Sequence, residues 1–299
     1  MHQRAFGPEC RVFLFDIDGT LKGDDGVSPR LLSTLFELRE QGHRLGLCTS
    51  QTAVEISEFV TDELGSSLGP TGPFNGGYIL EDGHVWVPPL GFPEEDLFIL
   101  TSTDALSEME IFKGAFLDAW TPAAEPLIRD CGWGTLADVP TLLVQLLPPR
   151  YQAKGSVTVW ERGPDITSSS YKGEYEAVML WAQAVAGELR FRHVDLLEAG
   201  NGTLRVLQKG MNKGAAMVRL GFSPAQLVFV GNGLNDLPAA RRVRKGGGMV
   251  LTVANAIPEL KRMADFVSSR PASAGVVELL NLVMSQRGDL RGQDAGCEE

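Results

Sequence analysis

Residues 11–21 read RVFLFDIDGTL, a short apolar run that stops abruptly at two aspartates on either side of an isoleucine. An uninterrupted apolar run of this length is typical of a strand buried on both faces, as in a parallel sheet. A glycine and a threonine follow the second aspartate at once. The stretch therefore predicts a central parallel strand that carries Asp16 and Asp18 at its carboxyl end.

The residues that follow continue with an alternation of helix and strand. Ser28-Pro29 is typical of a helix start, and leucines recur at helical spacing from 31 to 38. The pattern then predicts a strand over 44–48 and a helix through Ile56 and Phe59. Alternation of this kind is typical of a doubly wound α/β sheet.

The same alternation returns in the last third of the chain. The pattern there predicts strands over 227–230 and 249–253. It predicts helices over 213–220, 234–241, 258–263 and 275–283. We therefore expect the two ends of the chain to form one α/β core with a Rossmann-like, doubly wound sheet.

The middle of the chain has the pattern of a separate α+β domain. Hairpins are predicted around Asp82-Gly83 and around Gly200-Asn201-Gly202, because these pairs and triplets favour tight turns. Further elements are predicted as strands over 141–147 and 156–161 and an amphipathic helix over 173–187. The expected division is a core at 1–83 and 199–287, an inserted cap at 84–198, and a disordered polar tail at 288–299.

Composition limits the classes of function. The 299 residues are enough for about two domains. Acidic residues outnumber basic ones 38 to 27, which argues against nonspecific binding to nucleic acid or to an anionic membrane. The start does not resemble a signal peptide and no run approaches the ~20 apolar residues of a membrane span, so we expect a cytoplasmic protein. Four scattered cysteines predict reduced thiols: Cys10, Cys48, Cys131 and Cys297.

Three of the predicted strands end in polar residues. The first ends at Asp16 and Asp18, the second at Thr49 and Ser50, and a later one at Gly-Asn-Gly-Leu-Asn-Asp over 231–236. In an open α/β sheet ligands bind beyond the carboxyl ends of the strands, so we expect these groups to meet. Carboxylate oxygens suit Mg²⁺, and the excess negative charge needs a metal ion and a lysine before a phosphate can approach. Taken alone, each motif is more typical of a solvated loop or turn.

The order and spacing of the motifs favour one common site over a set of separate loops and turns. Residues 16–21 read Asp-x-Asp-Gly-Thr-Leu, Thr49 follows the second strand, 212–216 read Asn-Lys-Gly-x-Ala, and 231–236 end in Asn-Asp. Together they resemble the haloacid dehalogenase superfamily of phosphotransferases. The place of the insert is similar to the group with an α/β cap, to which Cof-type sugar phosphatases, sucrose-phosphate phosphatase, mannosyl-3-phosphoglycerate phosphatase and phosphomannomutase belong.

The resemblance implies a role for each matched residue. Asp16 is the expected nucleophile, and Asp18 the acid that protonates the leaving oxygen and later the base that activates water. Mg²⁺ is the implied cofactor, with Asp16, the Asp18 carbonyl, Asn232 and Asp236 as its expected ligands. The phosphate of a small phosphorylated metabolite, such as a sugar phosphate, is expected to bind Thr49, Ser50, Asn75, Gly76, Lys213 and Asn235.

Two positions depart from the pattern of the superfamily. Asn232 stands where an aspartate is usual, so we expect weaker binding of Mg²⁺. Gln51 stands where many relatives carry an arginine that helps to hold the substrate. The leading prediction is a Mg²⁺-dependent phosphomonoesterase. A phosphosugar mutase and a catalytically weak relative that binds a phosphorylated ligand or a partner remain alternatives, and the sequence does not indicate an oligomeric state.

Overall fold

The computed structural model of the chain describes residues 11–68, 71–88, 97–115, 157–160, 187, 189–198 and 204–294. The chain divides into two compact units. One consists of Met1–Phe98 with Asn212–Glu299, and the other of Ile99–Met211. The first unit is thus built from both ends of the chain, with the second unit inserted between them in sequence.

Strands and helices alternate over most of the described residues. The strands are β1 (Val12–Phe15), β2 (Arg44–Cys48), β3 (Tyr78–Leu80), β4 (Val85–Val87), β5 (Phe98–Ile99), β6 (Val157–Trp160), β7 (Val194–Glu198), β8 (Leu204–Gln208), β9 (Leu227–Gly231), β10 (Met249–Thr252) and β11 (Phe266–Val267). The helices are α1 (Leu31–Glu40), α2 (Ala53–Glu58), α3 (103–115), α4 (Lys213–Arg219), α5 (Leu237–Lys245), α6 (Pro258–Met263) and α7 (Ala272–Asp294).

The main sheet has the strand order β11-β10-β9-β1-β2-β3-β4-β5. β1 lies between β9 and β2 and is parallel to both, with Phe15 opposite Val230 and Leu47. β10, β11 and β3 are also parallel to their inner neighbours, whereas β4 is antiparallel to β3. The predicted doubly wound α/β core is therefore confirmed, and β1, β2 and β9 end side by side.

The apolar patterns explain which faces are buried. Every residue of β1 is buried, as its uninterrupted apolar run predicts. In α1 the helically spaced Leu31, Leu35 and Leu38 are buried, and this helix packs against α7. The predicted hairpin at Asp82-Gly83 is confirmed by the β3–β4 pairing.

The ends of several elements differ from the sequence prediction. α7 extends to Asp294, past Gly288, where we expected a disordered tail. No proline follows the apolar part of this helix, and arginine, leucine and glutamine, which favour helix, continue it. The helix predicted over 234–241 is a 3₁₀ turn at Leu234–Asp236 followed by α5.

The second unit contains a three-stranded antiparallel sheet in the order β6-β8-β7. β7 pairs with β8 from Val194 opposite Gln208 to Glu198 opposite Leu204, which confirms the second predicted hairpin. β6 corresponds to the strand predicted over 156–161. The strand predicted over 141–147 and nearly all of the helix predicted over 173–187 lie outside the described residues.

The two units meet in sequence at 98/99 and 211/212, whereas the expected boundaries were 83/84 and 198/199. Pairing accounts for the difference, because β4 extends the main sheet through β3 and β8 belongs to the sheet of the second unit. Within the described residues, Cys48 is a buried free thiol, and the other three cysteines lie outside them. No described helix has the length and apolar character of a membrane span.

Candidate active site

The candidate site lies at the carboxyl edge of the main sheet. Because Phe15 is in register with Val230 and Leu47, the next residue of each strand reaches the same level. The backbone N–H of Asp16 donates to the Val230 carbonyl at 2.9 Å, and that of Thr49 donates to the Ile79 carbonyl at 2.9 Å. The sheet thus fixes the backbone from which both predicted site residues project.

A buried lysine links the first strand to the loop after β9. Lys213 Nζ lies 2.7 Å from Asp16 Oδ1 and 2.6 Å from Asp236 Oδ1, and Lys213 is completely buried. Lys213 is the first residue of α4, whose N-cap Asn212 accepts a hydrogen bond from the Ala215 N–H at 2.9 Å. The cap therefore fixes the start of the helix that presents the lysine.

The charges in this cluster are not balanced. Burial, followed by the negative charge of Asp236, raises the pKa of Asp16 above its ordinary value, and Lys213 offsets this only in part. For Lys213, burial acts to lower the pKa, but the carboxylates of Asp16 and Asp236 outweigh it and hold the pKa well above the ordinary value. Two carboxylates thus share one ammonium group, and the site favours additional positive charge.

Asp236 also organises the loop that carries it. Its Oδ2 accepts hydrogen bonds from the backbone N–H groups of Asn232 at 2.8 Å and Gly233 at 2.9 Å. A side chain at position 231 would collide with the Asp236 carboxylate, so glycine is required there. The aspartate therefore binds both the lysine and its own loop.

Asp18 differs from Asp16 in its surroundings, since it is exposed. Gln51 Nε2 lies 3.1 Å from Asp18 Oδ1 and 3.0 Å from Oδ2. The N–H of Gln51 donates to Thr49 Oγ1 at 3.2 Å, and Thr49 is buried. Ser50, between them, is half-buried. The structure thus brings Asp18, Thr49 and Gln51 together beside the buried cluster.

Asn232 joins the loop after β9 to the loop after β1. Its Oδ1 accepts a hydrogen bond from Thr20 Oγ1 at 3.0 Å. Gly19 has a φ of 72°, and a side chain there would collide with the Asn232 amide. Asn255 Nδ2 donates to the Gly19 carbonyl at 2.8 Å. The loops after β9 and β10 are therefore both hydrogen-bonded to the loop after β1.

Within the described residues, no three His, Cys, Asp or Glu side chains lie close enough together to hold a metal ion by themselves. The expected Mg²⁺ ligands agree with this, because only Asp16 and Asp236 contribute carboxylates. The other two ligands are the backbone carbonyl of Asp18 and the amide oxygen of Asn232. These are hard oxygen donors of the kind that Mg²⁺ prefers, and the excess negative charge of Asp16 and Asp236 favours a cation. The chemistry of the donor set is therefore compatible with Mg²⁺.

Asp82 is a residue of the site that the sequence analysis did not identify. It is buried, its Oδ1 accepts a hydrogen bond from Asn235 Nδ2 at 3.1 Å, and its N–H donates to the Thr49 carbonyl at 3.0 Å. Glu81 and Asp82 have φ values of 51° and 54°, and residues other than glycine seldom adopt this conformation. Such strain is concentrated at functional sites. The sequence signal that could have identified Asp82 is a carboxylate two residues after a predicted strand.

The structure does not bring Asn75 and Gly76 to this edge, and their expected contact with phosphate is corrected. Asn75 Oδ1 accepts a hydrogen bond from the Leu45 N–H at 3.0 Å, and the Gly76 N–H donates to the Leu45 carbonyl at 2.6 Å. Leu45 is four residues before Thr49, about 13 Å away along an extended strand. The pair precedes β3 and ties its start to β2, at the opposite end of the sheet.

The sequence of the chain is similar to a family of known proteins and to individual relatives. Residues 13–88 and 181–280, more than half of the chain, match the family model of haloacid dehalogenase-like hydrolases. A phosphoglycolate phosphatase of Methanopyrus kandleri is 26% identical over 279 residues, which cover 92% of this chain and 97% of the relative. An HMP-PP phosphatase of Yersinia pseudotuberculosis is 27% identical over 264 residues, with 84% and 86% covered.

Solved structures resemble the fold as well. A haloacid dehalogenase-like hydrolase from Bacteroides thetaiotaomicron superposes with a TM-score of 0.60 at 15% identity, covering 92% of this chain and 100% of that one. At such low identity the likeness concerns the fold alone.

Proposed function

The chain belongs to the haloacid dehalogenase-like hydrolases and is a phosphatase, and from this premise we propose that it hydrolyses the phosphate ester of a small metabolite through a phosphoryl group carried on Asp16. The observation that carries this proposal is the buried cluster of Asp16, Lys213 and Asp236. Buried charge in excess is unfavourable for folding, whereas a carboxylate beside an ammonium group suits nucleophilic attack on phosphorus.

Asp16 is the proposed nucleophile because its two oxygens have different surroundings. Lys213 donates to Oδ1, so the lone pairs of Oδ2 are left to attack phosphorus. The lysine fixes the orientation of the carboxylate and offsets negative charge on the phosphoryl group. Asp236 in turn fixes the position of Lys213 through the second ion pair.

Asp18 is the proposed acid and base. It is exposed and close to Asp16 in sequence, so its carboxyl group can protonate the leaving oxygen and then accept a proton from water. Thr49 accepts a hydrogen bond from the Gln51 N–H, and its own hydroxyl hydrogen can be donated to a phosphoryl oxygen. Ser50 and Asn235, at the same edge, are proposed to help bind the phosphate.

Mg²⁺ is the proposed cofactor, held by Asp16, the Asp18 carbonyl, Asn232 and Asp236. When bound, it would supply positive charge that neutralises the phosphoryl oxygens in the transition state. Asn232 contributes an oxygen without a negative charge, so we expect this chain to bind Mg²⁺ more weakly than a chain with aspartate there.

The proposed substrate class is a sugar phosphate or a phosphoglycerate-type ester. Support comes from the net charge of −11, which argues against polyanionic partners, and from two relatives named as phosphatases of phosphoglycolate and of HMP-PP. These relatives are matched over most of their length.

A phosphate-release screen tests the proposal. The panel contains phosphorylated sugars, phosphoglycolate, phosphoglycerates, p-nitrophenyl phosphate and phenyl phosphate, each with and without millimolar Mg²⁺, and the Asp16→Asn variant serves as the blank. We expect Mg²⁺-dependent release that the variant lacks. Folded protein that releases no phosphate from any compound overturns the proposal, and so does isomerisation of a sugar phosphate without net release, which identifies a mutase.

A further inference from the structure

Gln51 stands at the junction between β2 and α2, and its backbone is fixed on both sides. Its N–H donates to Thr49 Oγ1 at 3.2 Å, and its carbonyl accepts from the Glu81 N–H at 3.1 Å. The next residue, Thr52, is the N-cap of α2 and forms a reciprocal capping box with Glu55. The side chain of Gln51 therefore projects from a well-defined position.

That side chain meets the carboxyl group of Asp18. The distances of 3.1 Å and 3.0 Å from Nε2 to the two carboxyl oxygens are almost equal, so the amide nitrogen faces the carboxyl group between them. Among the described residues no other hydrogen bond reaches these two oxygens. Since Asp18 is exposed, its orientation depends on this one contact.

The oxygen of the Gln51 amide differs from its nitrogen in having no hydrogen-bond partner among the described residues. This oxygen, Oε1, is buried. An amide carries an acceptor beside its donor, whereas arginine, which many relatives carry here, carries donors only. In this structure it is the donor, Nε2, that contacts Asp18.

We propose that Gln51 is a positioning residue that orients Asp18 toward the leaving oxygen of the substrate. This inference rests on the proposed function. In the step concerned, a bond forms between Asp16 Oδ2 and phosphorus while the bond from phosphorus to the leaving oxygen breaks. The carboxyl proton of Asp18 passes to that oxygen, and the resulting carboxylate accepts the hydrogen bond from Gln51 Nε2.

The test compares two aryl esters in Gln51→Met, which keeps the length of the side chain and removes its donor. Nitrophenolate is a weak base and leaves with little help from an acid, whereas phenolate needs protonation. We expect kcat/KM for phenyl phosphate to fall about tenfold more than kcat/KM for p-nitrophenyl phosphate, because general acid catalysis is lost in part. Gln226→Met, at an exposed position, is the matched control and is expected to match the wild type.

Equal losses on the two esters, or no loss on either, overturn the role of Gln51. A loss that is equal on both indicates a contribution to folding or to phosphate binding. These results leave the proposed function intact, because the wild-type chain still releases phosphate. If the wild-type chain turns over neither aryl ester, the same comparison is made with two compounds of the panel that it does hydrolyse and whose leaving alcohols differ in basicity. Absence of turnover on every compound of the panel counts instead against the proposed function, and the inference falls with it.

Discussion

The two ends of strand β2 carry polar neighbours with opposite properties. At its amino end, Asn75 and Gly76 make hydrogen bonds to the backbone of Leu45. At its carboxyl end, Asp16 and Asp236 share the single ammonium group of Lys213, and burial raises the pKa of Asp16. Polar groups bonded to the main chain hold the sheet together, whereas buried charge left in excess is suited to bind and transform a ligand. Substitutions at each end can test this distinction.

The largest expected effect is on catalysis at the carboxyl end. Asp16→Asn removes the proposed nucleophile, so we expect the rate of phosphate release to fall by about a thousandfold or more. The variant should remain folded, because the change removes negative charge from a buried cluster that has it in excess. Steady-state assays and urea unfolding measure the two quantities, and Asp25→Asn, at an exposed position, is the control. Substantial residual turnover in Asp16→Asn contradicts the proposed role.

Next in size is the loss of the buried cation. Lys213→Met leaves the buried carboxylates of Asp16 and Asp236 without their cationic partner, and we expect the free energy of unfolding to fall by about 3–5 kcal/mol. Lys209→Met provides the matched control, since Lys209 is exposed and lies 3.6 Å from Asp195. An exposed pair contributes about 0–1 kcal/mol. Urea unfolding at neutral pH measures the free energy of unfolding of both variants. A similar decrease in the two would contradict the expectation that the buried ion pairs of Lys213 contribute more than an exposed pair.

A smaller effect is expected at the amino end. Asn75→Ala leaves the N–H of Leu45 without its acceptor, so we expect the free energy of unfolding to fall by about 1–3 kcal/mol. The value of kcat/KM of the folded variant should stay within about twofold of the wild type. Denaturant unfolding and kinetics on one preparation measure both, with Asn281→Ala on the exposed face of α7 as the control. A large loss of kcat/KM with unchanged stability would return Asn75 to the substrate site.

The smallest effect concerns the metal. Asn232→Asp adds a negative charge beside the proposed Mg²⁺ ligands, and we expect the Mg²⁺ concentration at half-maximal rate to fall severalfold. Binding of Mn²⁺ to the free protein, followed by electron paramagnetic resonance, gives a readout that does not depend on turnover. If neither quantity changes, Asn232 does not contact the metal ion.

The sequence predicted the parts of the fold that local pattern determines. The apolar run before Asp16 and the helical leucines of α1 specify their own burial, and the order of motifs located Lys213 and the loop at 231–236. Asn75 and Gly76 were placed at the wrong edge of the sheet because the sequence does not show whether the strand that follows them runs parallel or antiparallel to β2. Their position depends on the parallel register of β3 with β2, which is a long-range property.

The remaining contacts of the site also depend on tertiary structure. Asp82 looked like an ordinary turn residue, and only the return of the chain beside Thr49 and Asn235 gives its carboxylate a place in the site. Gln51 could be recognised as a departure from the superfamily, but its contact with Asp18 joins residues 33 positions apart. Such pairings follow from packing and have no signal in local composition.

The central claim is that Asp16 carries the phosphoryl group, and trapping that group tests it most directly. Wild-type protein is mixed with a phosphate ester that it hydrolyses, quenched in acid during turnover and treated with borohydride, which reduces an acyl phosphate. Peptide mass spectrometry then locates the change. We expect the reduced residue at position 16, and no such product from Asp16→Asn. A phosphorylated or reduced residue elsewhere, or no modified residue despite active turnover, would contradict the account.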